Sequence, residues 1–251
     1  MFRRGIGAGL AAALLSLPCF AADVEIVVSA AASLQNAFAE VGQRFEAEHP
    51  GTKLVFNFGA SGQLVQQIVS GAPADVLATA DVDTMDRAEQ KQRIVPATRV
   101  NFAANALVLV VPAPGPTAVS SLEALNGGSI QRIALGTPPS VPAGQYAKEA
   151  LELAGLWEAL EPRFVFGQNV RQVLDYVARG EVDAGFVYAT DARPMQDRVK
   201  VVAVLQAKRP IRYPIAVVQG SGQEPAARRF IEFVRSAAGQ AILARHGFAP
   251  P

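Results

Sequence analysis

An α/β protein of two similar lobes, each a mostly parallel sheet flanked by helices, is what this sequence predicts. Three observations point there. Strand-like apolar runs alternate with helix-like periodic ones along most of the chain. The 251 residues, half of them apolar, suffice for one large domain or two small lobes. One unit also occurs twice: QQIVSGAPADVLATAD (66–81) and LDYVARGEVDAGFVYATD (174–191) share the plan helix, Gly, short loop, Asp, apolar strand, small polar end. The spacings differ slightly, so this is a shared supersecondary unit and not a sequence repeat. Two lobes explain it; a single larger sheet is the alternative.

The first 22 residues stand apart. MFRRGIGAGLAAALLSLPCFAA has a basic start at Arg3 and Arg4, an apolar run of about a dozen residues, then Pro18 and small residues. That is a secretory signal, too short in its apolar part for a permanent span. Cleavage after Ala21 places Cys19 and Ala21 at the two small-residue positions; cleavage after Ala22 is the alternative. Cys19 invites a lipid anchor, but Ser-Leu-Pro before it is a poor lipoprotein signal. The mature chain then has no cysteine, which excludes disulfides, thiol catalysis and thiolate metal sites. Losing two arginines moves the net charge from +1 to −1, which gives no reason to expect nucleic acid or an anionic membrane surface as partner.

After residue 23 the elements follow in order. VEIVVSA (24–30) is a strand, and Leu34, Phe38, Val41 and Phe45 make a helix of 33–48 that Pro50 and Gly51 close. KLVFNFG (53–59) is a strand, 61–71 a helix, DVLATAD (75–81) a strand and 82–93 a polar helix. NALVLVVP (105–112) is the fourth strand, followed by a Pro-rich connector with one short helix. IQRIALG (130–136), a helix at 143–154, RFVFG (163–167), a helix at 170–179 and DAGFVYATD (183–191) come next. VKVVAVL and IRYPIAVV are late strands, and 225–245 reads as one amphipathic helix with Phe230, Val234 and Ala237 in step.

Catalytic chemistry is missing. The two histidines, His49 and His246, sit at helix ends beside Pro or Gly, where the dipole favours a solvated imidazole. No nucleophile elbow, phosphate-binding loop or metal-ligand spacing occurs. What recurs is a strand-to-helix junction of small residues: SAAAS with Ser33, FGASGQL with Ser61, TPPSVPAGQY with Ala143 and Gly144, and FGQNVRQV with Asn169 and Val170. A serine at such a place is by default a helix cap. Four such junctions, none with Lys or Arg right at the junction, suggest more. Each follows the C-terminal end of a strand, where open α/β sheets bind ligands. Helix N-termini carry unpaired N–H groups and about half a positive charge, so an anion can be held there without a cationic side chain.

At these residues the sequence resembles the periplasmic molybdate-binding proteins of ABC transporters. AAASL (30–34), GAPADVLATAD (71–81), NALVLVVP, VPAGQYAKEAL (141–151), NVRQVL (169–174) and GFVYATDA (185–192) carry the likeness, which runs through essentially the whole mature chain. The resemblance implies a two-lobed type II periplasmic binding fold with the anion in the cleft, and no enzyme activity. It implies molybdate, and tungstate as well, as ligand, held by the hydroxyls of Ser33 and Ser61, the amides of Ala143 and Val170 and the phenol of Tyr188. No cofactor and no free metal cation are implied; the partner is a membrane permease complex, and the protein is a periplasmic monomer. By itself a tyrosine in GFVYA is a core residue. One departure is the loop GASGQL, where members often carry a Ser-rich run; Ser61 stays in register.

The expected lobes are 23–101 with 212–251, and 102–211 between them. Three rival functions remain at this level. A sulfate or thiosulfate receptor has the same donor logic; a secreted hydrolase using Ser61 lacks a base and an elbow; a ligand-sensing regulator lacks a DNA-binding segment.

Overall fold

Two five-stranded sheets, each covered by helices, make up the computed structural model, which describes residues 24–113 and 119–251. The expected signal, 1–22, lies outside the described residues. The first sheet contains β1 (Val24–Ala31), β2 (Thr52–Gly59), β3 (Val76–Ala78), β4 (Val100–Asn105) and β10 (Ile211–Val217), in the order β2-β1-β3-β10-β4. The second contains β5 (Leu107–Pro112), β6 (Ile133–Gly136), β7 (Phe164–Gly167), β8 (Ala184–Tyr188) and β9 (Val199–Leu205), in the order β7-β6-β8-β5-β9. In each, three parallel strands are joined by an antiparallel one, β10 beside β3 and β5 beside β8. The alternative of a single larger sheet is thereby excluded.

The helices are α1 (Gln35–Glu48), α2 (Ser61–Val69), α3 (Val82–Gln90), α4 (Pro142–Leu153), α5 (Trp157–Leu160), α6 (Val170–Ala178), α7 (Ala189–Ala192), α8 (Glu224–Arg235) and α9 (Ala237–Arg245). Phe38 and Phe45 of α1 and Phe230 of α8 are fully buried and meet edge to face at 5.4–5.9 Å, which docks both helices on the first sheet.

The twice-occurring unit is real, and it has a physical basis. α2 and α6 both end two residues before a glycine in the left-handed region, Gly71 at φ +90° and Gly180 at φ +67°. The aspartate that follows then does the same work in each lobe. Asp75 accepts the Val27 amide of β1 at 2.8 Å, and Asp183 accepts the Gln131 and Arg132 amides at 2.7 and 2.9 Å, just before β6. Each carboxylate thus ties the start of its own strand to the neighbouring strand or the segment leading into it.

Several boundaries differ from the sequence reading. The expected strand 105–112 is preceded by an unanticipated one, β4, and the chain passes from one sheet to the other at Ala106. Asn105 Oδ1 accepts the Ala106 amide at 2.9 Å, holding that corner. The return runs between Leu205 and Ile211. β3 is only three residues long, because the chain has left the ladder by Asp81, which precedes α3 in extended conformation. β8 stops at Tyr188 and the ATDA that follows is helical. The expected helix 225–245 is two, broken at Ser236, whose hydroxyl accepts the Gly239 amide at 3.2 Å and starts α9 afresh.

Candidate functional site

The C-terminal ends of β1 and β2 lie side by side, Ala31 against Gly59, and so do those of β6 and β7, Gly136 against Gly167. The two sheets therefore bring four strand-to-helix junctions to facing edges. Ser33, Ser61, Ala143, Val170 and Tyr188 all line one small pocket between the lobes. All five are buried, with Ser61 at 0% exposure.

The helix starts leave specific amides free. At α4 Pro142 has no N–H, and the Gly144 and Gln145 amides both reach the Val141 carbonyl, at 2.9 and 3.1 Å. At α6 the Arg171 and Gln172 amides share the Asn169 side-chain oxygen at 3.0 Å each, and the Val173 amide reaches the Asn169 carbonyl at 3.3 Å. The one amide in each first turn without a partner among the described residues is Ala143 or Val170. α4 is set in place by a close approach: a Cβ on Gly144 would lie 1.8 Å from the Gly136 carbonyl oxygen. Only glycine lets this helix start so near the end of β6.

Neither serine is a helix cap, contrary to the default reading. Ser61 is the first residue of α2, makes no capping bond, and accepts the Ala80 amide at 3.0 Å. That bond occupies a lone pair and leaves the hydroxyl proton to be donated elsewhere. Ser33 lies in a 3-10 turn before α1, and its oxygen is 3.0 Å from the Tyr213 hydroxyl. The proton direction follows from the neighbours. Asn105 Oδ1 accepts the Ala106 amide, so Asn105 Nδ2 is a donor, to Tyr213 at 3.1 Å and Thr190 at 2.8 Å. Tyr213, fully buried, then donates to Ser33, and Ser33 is left with a proton to give. Tyr188 donates to the Ala80 carbonyl across the cleft at 3.3 Å, a long bond that a better acceptor could displace. Burial raises the pKa of both tyrosines well above the ordinary phenol value, so they remain protonated donors.

The expectation that no cation stands at these junctions is corrected by Arg171. It follows Val170 at once, its Nε lies 2.8 Å from Asp191 Oδ1, and its Nη2 approaches the Ser33 carbonyl at 3.5 Å. Asp191 is fully buried, also accepts the Tyr188 amide at 3.3 Å, and is pushed up to about 6 by burial that Arg171 only partly offsets. Burial likewise raises Asp81 to about 6, and its Oδ1 has no partner among the described residues. Neither carboxylate lines the pocket. A second hollow shares Ser33 and is lined also by Arg171, Arg193, Arg245 and His246. Arg171 already faces Asp191, and Arg245 and His246 face Glu40. Tyr213, Asn105 and Arg171 are the residues that sequence reasoning missed; Arg171 alone carried a signal, its place beside Val170.

A facing pair of α/β lobes with converging helix N-termini is the architecture of a protein that closes on a small anion. The family model described as bacterial extracellular solute-binding protein matches residues 26–249. The chain belongs to that family. It is 36% identical over 237 residues to the molybdate-binding protein ModA of Haemophilus influenzae, covering 92% of each chain. The solved periplasmic molybdate-binding protein of Azotobacter vinelandii superposes with a TM-score of 0.78 at 22% identity, covering 90% of this chain and 99% of that one. The sulfate-binding protein SubI of Mycobacterium tuberculosis gives the same TM-score at 19% identity, covering 90% and 87%. Those two likenesses establish the two-lobed fold and leave the anion open. As a member of the family, this solute-binding protein is a transport component and not an enzyme.

Proposed function

We propose that this solute-binding protein captures molybdate, and tungstate as well, and delivers it to an ABC permease from the periplasm, after removal of a signal within residues 1–22. The anion sits between the lobes and accepts from Ser33, Ser61, the amides of Ala143 and Val170, and Tyr188. The lobes are 23–101 with 212–251, and 102–211; the crossing at Ala106 supports a division close to the first of those limits. The protein acts as a monomer, with no cofactor and no free metal cation.

One observation carries the reading: the pocket is walled by donors. Each hydroxyl has its acceptor side engaged or a proton to give, each amide is uncommitted, and no carboxylate lines the wall. A fully deprotonated tetrahedral dianion accepts from every direction and suits such a wall. Phosphate at neutral pH keeps a proton that would face a donor, leaving a buried polar group unpaired at about 1–3 kcal/mol. The curated relative at 36% identity favours molybdate over sulfate, for which the likeness is one of fold.

Calorimetry of ligand-stripped protein against molybdate, tungstate, sulfate, chromate and phosphate tests this. Molybdate and tungstate are expected to bind tightest. Phosphate binding within about tenfold of molybdate at pH 7 would sink the donor-only site.

A further inference from the structure

The lobes touch backbone to backbone at the rim of the pocket. Gly62, second residue of α2, donates its amide to the Ser140 carbonyl at 3.0 Å, and Ser140 belongs to the turn that links β6 to α4 on the opposite lobe. A Cβ on Gly62 would lie 2.8 Å from both Cα and O of Ser140 and 3.2 Å from its carbonyl carbon. These three are backbone atoms and cannot rotate aside. Nor can the turn readily yield. Ser140 Oγ donates to the Thr137 carbonyl at 2.9 Å, the Val141 amide to the same oxygen at 3.0 Å, and the Thr137 amide to Gly167 at 3.0 Å.

The neighbours of this contact are the walls of the pocket. Ser61 precedes Gly62, and Val141, Pro142 and Ala143 follow Ser140; all four line the cavity. The separation of Ser61 from Ala143 is therefore set where Gly62 meets Ser140. A smaller anion cannot draw the lobes nearer, because main chain already rests on main chain there. A larger one would hold them apart and stretch the 3.0 Å bond. We infer that the Gly62–Ser140 contact is the stop for lobe closure, and that it sets the size of oxyanion the cleft selects. This rests on the oxyanion reading given above and names a determinant of its specificity.

The test uses wild type, Gly62→Ala and Gly62→Val, titrated with molybdate, chromate and sulfate, of which molybdate is the largest. A methyl group that wedges the stop open should weaken molybdate by about tenfold, and valine by about a hundredfold or more. Chromate and sulfate should lose more than molybdate in Gly62→Ala, so that the ratio of affinities widens by at least about threefold. Apo melting temperatures should hold or rise, because alanine is the better helix former and the nearest atoms to its methyl belong to Ser140 across the cleft. Independently of any variant, hydrogen exchange at the Gly62 amide of the wild type should slow when the anion is added. Wild-type affinity in Gly62→Val, an equal loss for all three anions, or a Gly62 amide indifferent to ligand would each overturn the inference. A wild type that ignores molybdate but binds sulfate would overturn the molybdate reading alone, and the same ratio, taken from sulfate to chromate, still judges the stop.

Discussion

Replacing Ser61 by alanine removes two interactions at once. The pocket loses a hydroxyl donor to a charged ligand, about 1.5–3 kcal/mol, so molybdate affinity should fall roughly ten- to a hundredfold by calorimetry. The Ala80 amide loses its 3.0 Å acceptor inside the protein, so the apo form should also lose about 1–3 kcal/mol in a denaturant melt. A serine that was only a cap would give a stability effect with no loss of affinity. Because Ser61 is fully buried and caps nothing, Ser61→Asp should destabilise the apo protein as well as abolish binding. Tyr213→Phe isolates the relay behind Ser33. It removes the donor that engages a Ser33 lone pair, so that the Ser33 hydroxyl is no longer held with its proton toward the ligand. Affinity should drop by about two- to tenfold although Tyr213 does not line the pocket, and unchanged affinity would dissolve the assignment of proton direction.

A helix start is only as well placed as its packing. α4 delivers the Ala143 amide to the pocket because Gly144 lets the helix rest on the Gly136 carbonyl. Gly144→Ala would gain intrinsic helix propensity yet drive a methyl into a main-chain oxygen, which the helix can relieve only by moving. The expected outcome is a lower melting temperature, by about 1–3 kcal/mol of stability, together with weaker anion binding. Improved stability by thermal melt would show that the first turn of α4 has freedom the geometry denies it.

For the molecule as a whole, the titration of two of its buried carboxyls has a definite sign. Asp81 and Asp191 are raised to about 6 by burial, above the roughly 3.9 of an unfolded aspartate. The folded protein therefore holds more protons than the unfolded chain between about pH 4 and 6, and the stability from these groups is lost as pH rises through 6. Asp81→Asn, which removes one of them while keeping the shape, should melt higher than wild type at pH 7 and show a flatter profile from pH 5 to 7. A profile identical to wild type would mean that Asp81 is not charged against its surroundings at neutral pH. Ligand acts on the same balance. Molybdate at a thousand times its dissociation constant should add about 4 kcal/mol to the folded state, and EDTA should leave that shift in place, since no free cation takes part.

Most of the fold was legible because its signals are local. The apolar runs of β1, β2, β6 and β7, the glycines after α2 and α6, and the prolines at Pro50 and Pro142 act on residues a few places away. β4 was not legible: Phe102, Ala103 and Ala104 make a weak strand signal, held in place by β10, more than a hundred residues on. The same division runs through the site. Small residues at four strand ends announced an anion from the amino-acid order alone, and the resemblance added Tyr188. Which lone pairs and protons face the cavity was decided by the tertiary structure, through partners such as Tyr213 and Ser33, 180 residues apart. It also decided that the serines are no caps, that Arg171 reaches Ser33, and that Gly62 meets Ser140. Local sequence can set where a helix starts; a hydrogen bond between distant segments exists only once both have been packed into place.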